Sequence, residues 1–303
     1  TIKQWRGIKD DIFAGITVGV MLIPQGMAYA LVAGLPPIYG LYTAFIPILV
    51  YGLLGSCKQL ANGPVAMASL LTASAVAEFD PETPEQYAAY AAVICITVGA
   101  IHMLLGALRL GFIVNFISHS VLTGFTTAAA ITIISGQIKY LLGVSAPNDK
   151  QTWMVLYNTF KAIPNFKWQS FLVGIGTMVI LLFFQYCWCT IRKRTFTLRK
   201  IPAALVVVVI FTLFVFILKT ATNYQVNDKL KTKEVHGIQI ISSIPAGLPT
   251  PTIIPIHNFS FDLFLKVLLS ALPIALVSFM ESISLAKVFA RKLKYEISTN
   301  QEL

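Results

Sequence analysis

Gln59-Leu60-Ala61-Asn62-Gly63-Pro64-Val65-Ala66-Met67-Ala68-Ser69 opens an apolar run that ends near Glu78. Proline is preorganised for the first turn of a helix, so Gly63-Pro64 marks a helix start. A helix from residue 64 to about residue 78 has ~15 residues and rises ~22 Å at ~1.5 Å per residue. The hydrocarbon layer of a bilayer is ~30 Å thick. The helix crosses it only if an extended stretch over 60–63 completes the path. Non-helical backbone is tolerated at membrane depth only inside protein or around a cavity. A helix that starts there offers free N–H groups and the positive end of its dipole. That is an anion site without a cationic side chain. The same spacing also fits a shallow or tilted helix that begins at the membrane surface.

Composition supports a membrane setting for this stretch. Of 303 residues, 56% are hydrophobic and 12% charged, and mean hydropathy is +0.74. A soluble domain is about a quarter charged, because it needs a polar surface. Apolar residues run in long blocks, such as 203–218 and 267–279. About eight apolar segments follow from the pattern: 11–33, 38–55, 64–78, 87–107, 111–141, 168–190, 201–219 and 263–290. The third is short for a span. The fifth is long and expected to bend or begin at the interface near Ser118-His119-Ser120.

Charge placement gives orientation. Lys3, Arg6 and Lys9 precede the first span, Lys58 follows the second and Arg109 the fourth. Arg192, Lys193, Arg194, Arg199 and Lys200 follow the sixth, and Arg291, Lys292 and Lys294 follow the eighth. All fall on one side when the span count is even. The loop after the third span is acidic, with Glu78, Asp80, Glu82 and Glu85. The positive-inside rule then puts both ends of the chain in the cytoplasm, with the protein a multi-pass component of a plasma or organellar membrane. Lys229, Lys231 and Lys233 oppose this, but in a long loop, where the rule is weak.

The longest outer loops are 142–167 and 220–262. Trp153 and Trp168 flank the first loop as interface anchors. Pro245, Gly247, Pro249, Pro251 and Pro255 make the second an extended, turn-rich cover. Asn258-Phe259-Ser260 is a glycosylation sequon close to the eighth span. Residue 1 is Thr and no cleavable signal follows, so the chain is expected to begin inside a longer protein.

Several function classes are excluded. No basic stripe is interleaved with aromatics, so nucleic acid is not an expected partner. Cys57, Cys95, Cys187 and Cys189 lack metal or redox spacing and are read as structural. No catalytic triad, phosphate-binding loop or cofactor motif occurs. The chain is therefore read as a non-enzyme without a metal or cofactor.

Two further stretches carry polar groups into spans. The first span holds Ile23-Pro24-Gln25-Gly26-Met27-Ala28-Tyr29-Ala30. Proline there removes a helix hydrogen bond and kinks the helix. Gln25 and Tyr29 are four apart and share a face. That face either meets a substrate or hydrogen-bonds a neighbouring helix, with Gly15, Gly19 and Gly26 allowing close packing. The eighth span holds Ser278-Phe279-Met280-Glu281-Ser282-Ile283-Ser284-Leu285-Ala286-Lys287. Glu281 is the carboxylate set well inside a span, where low dielectric favours its neutral form. Ser278 and Ser284 lie three residues to either side and can share its face. The other reading pairs Glu281 with Lys287 or Arg291 near the inner interface. His102 and His119 are read as packing or interface histidines.

These residues resemble the sulfate permease (SulP) family of anion transporters and exchangers. The resemblance rests on residues 24–30, then Pro37-Ile38-Tyr39-Gly40-Leu41-Tyr42, and Gly55-Ser56-Cys57-Lys58 through Asn62-Gly63-Pro64-Val65-Ala66. Gly111-Phe112 to Leu122-Thr123-Gly124-Phe125, Ile244-Pro245-Ala246-Gly247-Leu248-Pro249 and 281–287 extend it over nearly the whole chain. Cys57 departs from the family's usual serine, with little effect expected.

The resemblance implies an all-α polytopic fold, an inverted repeat of seven plus seven helices. A core of helices 1–4 and 8–11 moves against a gate of helices 5–7 and 12–14, and a STAS domain follows. This chain is expected to hold the first repeat plus helix 8: core 11–107, gate 108–220, outer loop 221–262, and core helix 8 with its cytoplasmic end 263–303. Helices 9–14 and the STAS domain are expected to be absent from it. The anion would sit between the starts of half-helices 3 and 10. Gln25 and Tyr29 would face it, the backbone of Val65 and Ala66 would cap it, and Pro64 would support the turn. Glu281 would match the carboxylate of proton-coupled members. Proton-coupled sulfate transport by an elevator-like motion, in a homodimer within the lipid bilayer, is the implied function. Alternatives are chloride, bicarbonate or oxalate exchange, sodium-coupled bicarbonate uptake, or a truncated scaffold that transports nothing.

Overall fold

A computed structural model describes residues 2–111, 119–144, 146, 151–191, 203–219, 225–227, 232–235, 238–241, 247 and 261–303. The helices are α1 (Ile2–Val32), α2 (Pro37–Leu54), α3 (Ala66–Ala77), α4 (Pro84–Ala107), α5 (His119–Leu142), α6 (Thr152–Lys161), α7 (Trp168–Ile191), α8 (Ala203–Lys219), α9 (Phe261–Leu293) and α10 (Thr299–Glu302). Strands β1 (Gln225–Asn227), β2 (Thr232–Val235) and β3 (Ile238–Ile241) lie between α8 and α9. Each apolar segment read from the sequence overlaps one long helix or α3, and α9 overlaps the eighth segment.

Four described helices are long and apolar enough to cross a membrane: Asp11–Val32 within α1, then α2, α4 and α9. The helix α1 starts nine residues before its apolar part, so Lys3, Arg6 and Lys9 ride on the helix itself. Of the expected fifth span, α5 covers His119–Leu142, and residues 112–118, Ser118 included, lie outside the described residues.

The chain forms two compact units, one of 1–25 and 135–244, the other of 26–134 and 245–303. In the second unit α9 packs on α3 and α4. Ala75 and Val76 of α3, Ala91 and Ile94 of α4, and Val267, Ala271 and Ile274 of α9 form its core. Small residues on these faces bring the helix backbones close, as helix packing in lipid requires. Large apolar residues point outward instead, including Phe45, Leu49 and Leu53 of α2. That inversion suits a hydrocarbon surrounding.

The end of α1 is closed by a Schellman turn. Gly34 takes φ +77°, Leu35 N–H donates to Ala30 O at 2.8 Å, and Gly34 N–H to Leu31 O at 3.0 Å. Tyr87 of α4 donates to Ala33 O at 2.7 Å and fixes that turn. The chain then returns as α2, and Gly26 and Gly40 meet backbone to backbone. A Cβ on Gly40 would overlap Gly26 O and lie 3.0 Å from Met27 N.

In the first unit α7 packs on α8, where Gly176 faces the Phe211 ring. The loop 142–167 carries α6, which the span pattern did not show. Its Trp153, Tyr157 and Phe160 are exposed while Val155 and Thr159 are buried. Trp153 and Trp168 are both exposed, as anchors at a membrane surface require. The expected extended cover over 220–262 contains a small antiparallel sheet, order β1-β2-β3. Its register pairs Val226 with Lys233 and Lys233 with Ile240. Pro245, Pro249, Pro251, Pro255, the sequon at Asn258, Lys229, Lys231 and the basic loop 192–200 lie outside the described residues.

Gly40→Ala should lower stability by about 1–3 kcal/mol, the usual cost of overpacking a tight contact. Gly52→Ala, with nothing within 4 Å of the added carbon, should be neutral. Thermal unfolding of the two purified variants in detergent checks this, and equal melting would contradict the close crossing.

Candidate functional site

The stretch quoted first runs without helix to Val65 and then into a short helix. Val65 is extended, but Gly63 N–H turns back to Ala61 O at 3.1 Å, so 60–63 is not the plain extended run expected. The helix α3 has 12 residues and begins at Ala66. It rises ~18 Å at ~1.5 Å per residue, well short of the hydrocarbon thickness. Its N-cap is Val65, with φ −129° and ψ 147°, and no side chain caps the turn. This corrects the expected helix start. Pro64 lies before the cap, not in the first helical turn. Its fixed φ fits the extended approach as well as it fits a helix. Ser69 N–H closes the first intrahelical bond to Val65 O at 3.1 Å. The N–H groups of Ala66, Met67 and Ala68 precede that bond and point along the helix axis away from it.

The opposite end of α3 has the other polarity. Ser270 Oγ donates to Glu78 Oε2 at 3.2 Å, and a groove of about 300 Å³ there is lined by Ser74, Glu78, Lys266 and Ser270 among others. A carboxylate beside a helix C-terminus makes that end a poor anion site. The start of α3 is the better one.

On α9, Glu281 Oε2 is buried and has no hydrogen-bond partner among the described residues. Ser278 and Ser284 turn to their own helix. Ser278 Oγ donates to Ile274 O at 2.7 Å, and Ser284 Oγ to Met280 O. Ser282, which the spacing did not single out, reaches the lead-in of α3. Its Oγ donates to Asn62 Oδ1 over a long 3.4 Å. The residue next to Glu281 thus ties the extended backbone to α9.

Gln25 and Tyr29 lie four apart on α1, Gln25 exposed and Tyr29 half-buried. Gln25 belongs to the first compact unit, whereas Tyr29, Val65, Ala66 and Glu281 belong to the second. Helix α1 continues through Pro24. His102 is a packing histidine. Its Nε2 is 2.8 Å from Ala275 O. A carbonyl can only accept, so Nε2 carries the proton. The bond joins α4 to α9, and the Phe279 ring lies tilted against the imidazole.

A fold with a short helix after a non-helical lead-in and a carboxyl with one buried oxygen on the helix packed against it has known relatives. The Sulfate permease family model matches residues 8–303. The chain belongs to the sulfate permease family. It is 38% identical over 307 residues to the probable sulfate transporter 4.2 of Arabidopsis thaliana, covering 100% of this chain and 42% of that protein. It also matches the solved structure of SLC26A9 at TM-score 0.79 and 25% identity, over 97% of this chain and 46% of that one. The transmembrane domain of a cyanobacterial bicarbonate transporter, BicA, aligns at TM-score 0.76 and 22% identity, over 98% of this chain and 69% of that one. The last likeness concerns the fold alone. The chain spans less than half the length of the sulfate transporter it matches. The helical polytopic fold, with the small sheet β1-β2-β3 as its one departure from all-α among the described residues, and an integral membrane protein are thereby established, within a family of transporters.

Proposed function

We propose that the chain is the first-repeat portion of a sulfate transporter, and that the start of α3 binds the anion. The uncapped turn at Ala66, reached by extended backbone, is the observation that carries this reading. A sulfate dianion is costly to bring into low dielectric. Unused N–H groups and the helix dipole offset part of that cost without adding a cation that would hold the anion too tightly. The sulfate transporter name of the Arabidopsis relative supports the substrate. Residues 11–107 and 263–303 act as the core and 108–220 as the gate, and Gln25 and Tyr29 face the substrate from α1. Both chain ends lie in the cytoplasm, and the protein works as a homodimer.

Glu281 supplies the proton coupling. An ionised carboxylate near the dianion would repel it. A protonated Glu281 removes that charge and carries one proton with each anion. Movement of the core against the gate then exposes both to the other side.

Two variants, expressed from the complete reading frame, test the assignment. Ala66→Pro deletes one N–H at the first helical position, which accepts proline. Val65 already has the extended conformation that a residue before proline prefers. The variant should fold normally and raise the KM for radiolabelled sulfate about tenfold, matching the loss of one hydrogen bond to a charged group. Unchanged KM would remove the anion from this helix start. In the wild type, uptake should rise as the outer pH falls, and Glu281→Gln should flatten that profile. A pH profile that survives Glu281→Gln would end the coupling role. Competition by chloride or bicarbonate stronger than by selenate would favour the exchange alternatives.

A further inference from the structure

After α9 the chain turns back sharply. Lys294 takes φ +56° and Tyr295 N–H donates to Ala290 O at 3.1 Å. Residues 295–303 then cross the ends of α2 and α4. Each helix end leaves carbonyls short of intrahelical donors; this segment donates to Leu54 O and adds a second donor to Gly106 O, which already accepts from Arg109 N–H. Gln301 Nε2 donates to Leu54 O of α2 at 2.8 Å. Asn300 Nδ2 donates to Gly106 O of α4 at 3.0 Å. Gly111 makes room for the crossing, since a Cβ there would lie 2.9 Å from Asn300 Cα.

Glu302 is the centre of this contact. Its Oε2 accepts from Tyr51 Oη at 2.7 Å. Its Oε1 accepts from Ser56 N–H at 2.8 Å, from Cys57 N–H at 3.1 Å and from Ser56 Oγ. A carboxylate offers about four acceptor positions, and four donors converge on this one, three on Oε1 and one on Oε2. Tyr295 adds a second tie, donating to Gln59 Oε1 at 2.6 Å. Its single proton is then used, so the Cys57 thiol, 3.1 Å away, is the donor in their contact. Cys57 is 5% exposed, although its position in a short loop suggested a bystander.

The tied loop is the one that leads to α3. Residues 55–65 run from the end of α2 to the N-cap at Val65 without helix. They are held at one end by Glu302 and Tyr295, and near the other by Ser282 at Asn62. All of these partners come from α9 or the segment that follows it. We propose that Glu302 is a positioning residue for anion binding: it locks loop 55–57 so that the start of α3 moves as one body with α9. The lock rests on the anion-site reading above only for its effect on transport. Its geometry stands alone. Extended backbone lacks the internal bonds that stiffen a helix, so its position depends on such external ties. Without them the N–H groups at Ala66 would lose their fixed distance from Glu281.

The test compares Glu302→Ala, Glu302→Gln and wild type, each expressed from the complete reading frame. Two quantities are read: the rate at which N-ethylmaleimide modifies Cys57, followed by peptide mass, and the KM and kcat for sulfate uptake. Glu302→Ala leaves Tyr51, Ser56 and Cys57 donors without an acceptor. It should speed Cys57 modification about tenfold, as local opening does, and raise KM about tenfold, with kcat per surface molecule much less changed. Glu302→Gln can face its amide oxygen to Ser56 and Cys57 and donate to Tyr51 Oη, so it should restore both values to within about twofold. Should Glu302→Ala fail to accumulate, Tyr51→Phe removes one donor and should move both readouts in the same direction by less. Wild-type labelling rates in these variants would overturn the lock. Faster labelling with an unchanged KM would overturn its positioning role. If the wild type moves no sulfate, the transport reading falls separately, and the labelling rates still decide the lock.

Discussion

Backbone N–H and C=O groups inside a bilayer must find partners in the protein, because hydrocarbon supplies none. Most of this chain meets that demand with long helices. The stretch from Gly55 to Val65 does not, and α3 is too short to make up the distance. Everything around it follows from that deficit. Asn62 is met by Ser282, Ser56 and Cys57 are met by Glu302, and the carbonyls at the end of α2 are met by Gln301. The N–H groups of Ala66, Met67 and Ala68 precede the first bond of α3, and these are the donors proposed for the anion.

Packing serves the same end. The face of α9 that meets α3 and α4 is made of Val267, Ala271 and Ile274. Small side chains there let α9 lie close to α3. A single polar contact, Ser282 to Asn62, can then bridge the two. The His102 bond to Ala275 O joins α4 to α9 within one helix turn of Ser278.

Much of the fold was legible in the sequence because hydrocarbon imposes a strong pattern. Apolar blocks located α2, α3, α4, α7, α8 and α9 within a few residues, and α9 at Phe261–Leu293 contains the expected 263–290. The non-helical lead-in to α3 was legible from Gly63-Pro64 and the short run after it, but not the turn that Gly63 N–H makes back to Ala61 O. The exact helix start was not, because proline's fixed φ suits both helix and extended chain. The short amphipathic α6 and the three strands escaped because neither is long or apolar enough to register as a span. Ser282 and Glu302 were invisible for another reason. Their partners lie 220 and 246 residues away in sequence, and no spacing rule within one helix or strand reaches that far. The roles of Ser278 and Ser284 were harder still, since helical serines either bond their own backbone or reach a neighbour. Here both do the former.

The central claim is that sulfate binds the free N–H groups at the start of α3. Amide hydrogen exchange of the purified protein, with and without saturating sulfate and with chloride as the control anion, addresses it directly. The account expects sulfate to slow exchange in the peptide that carries Ala66, Met67 and Ala68, with little change in the peptides of α4. Slowed exchange elsewhere with no change at residues 66–68 would contradict it.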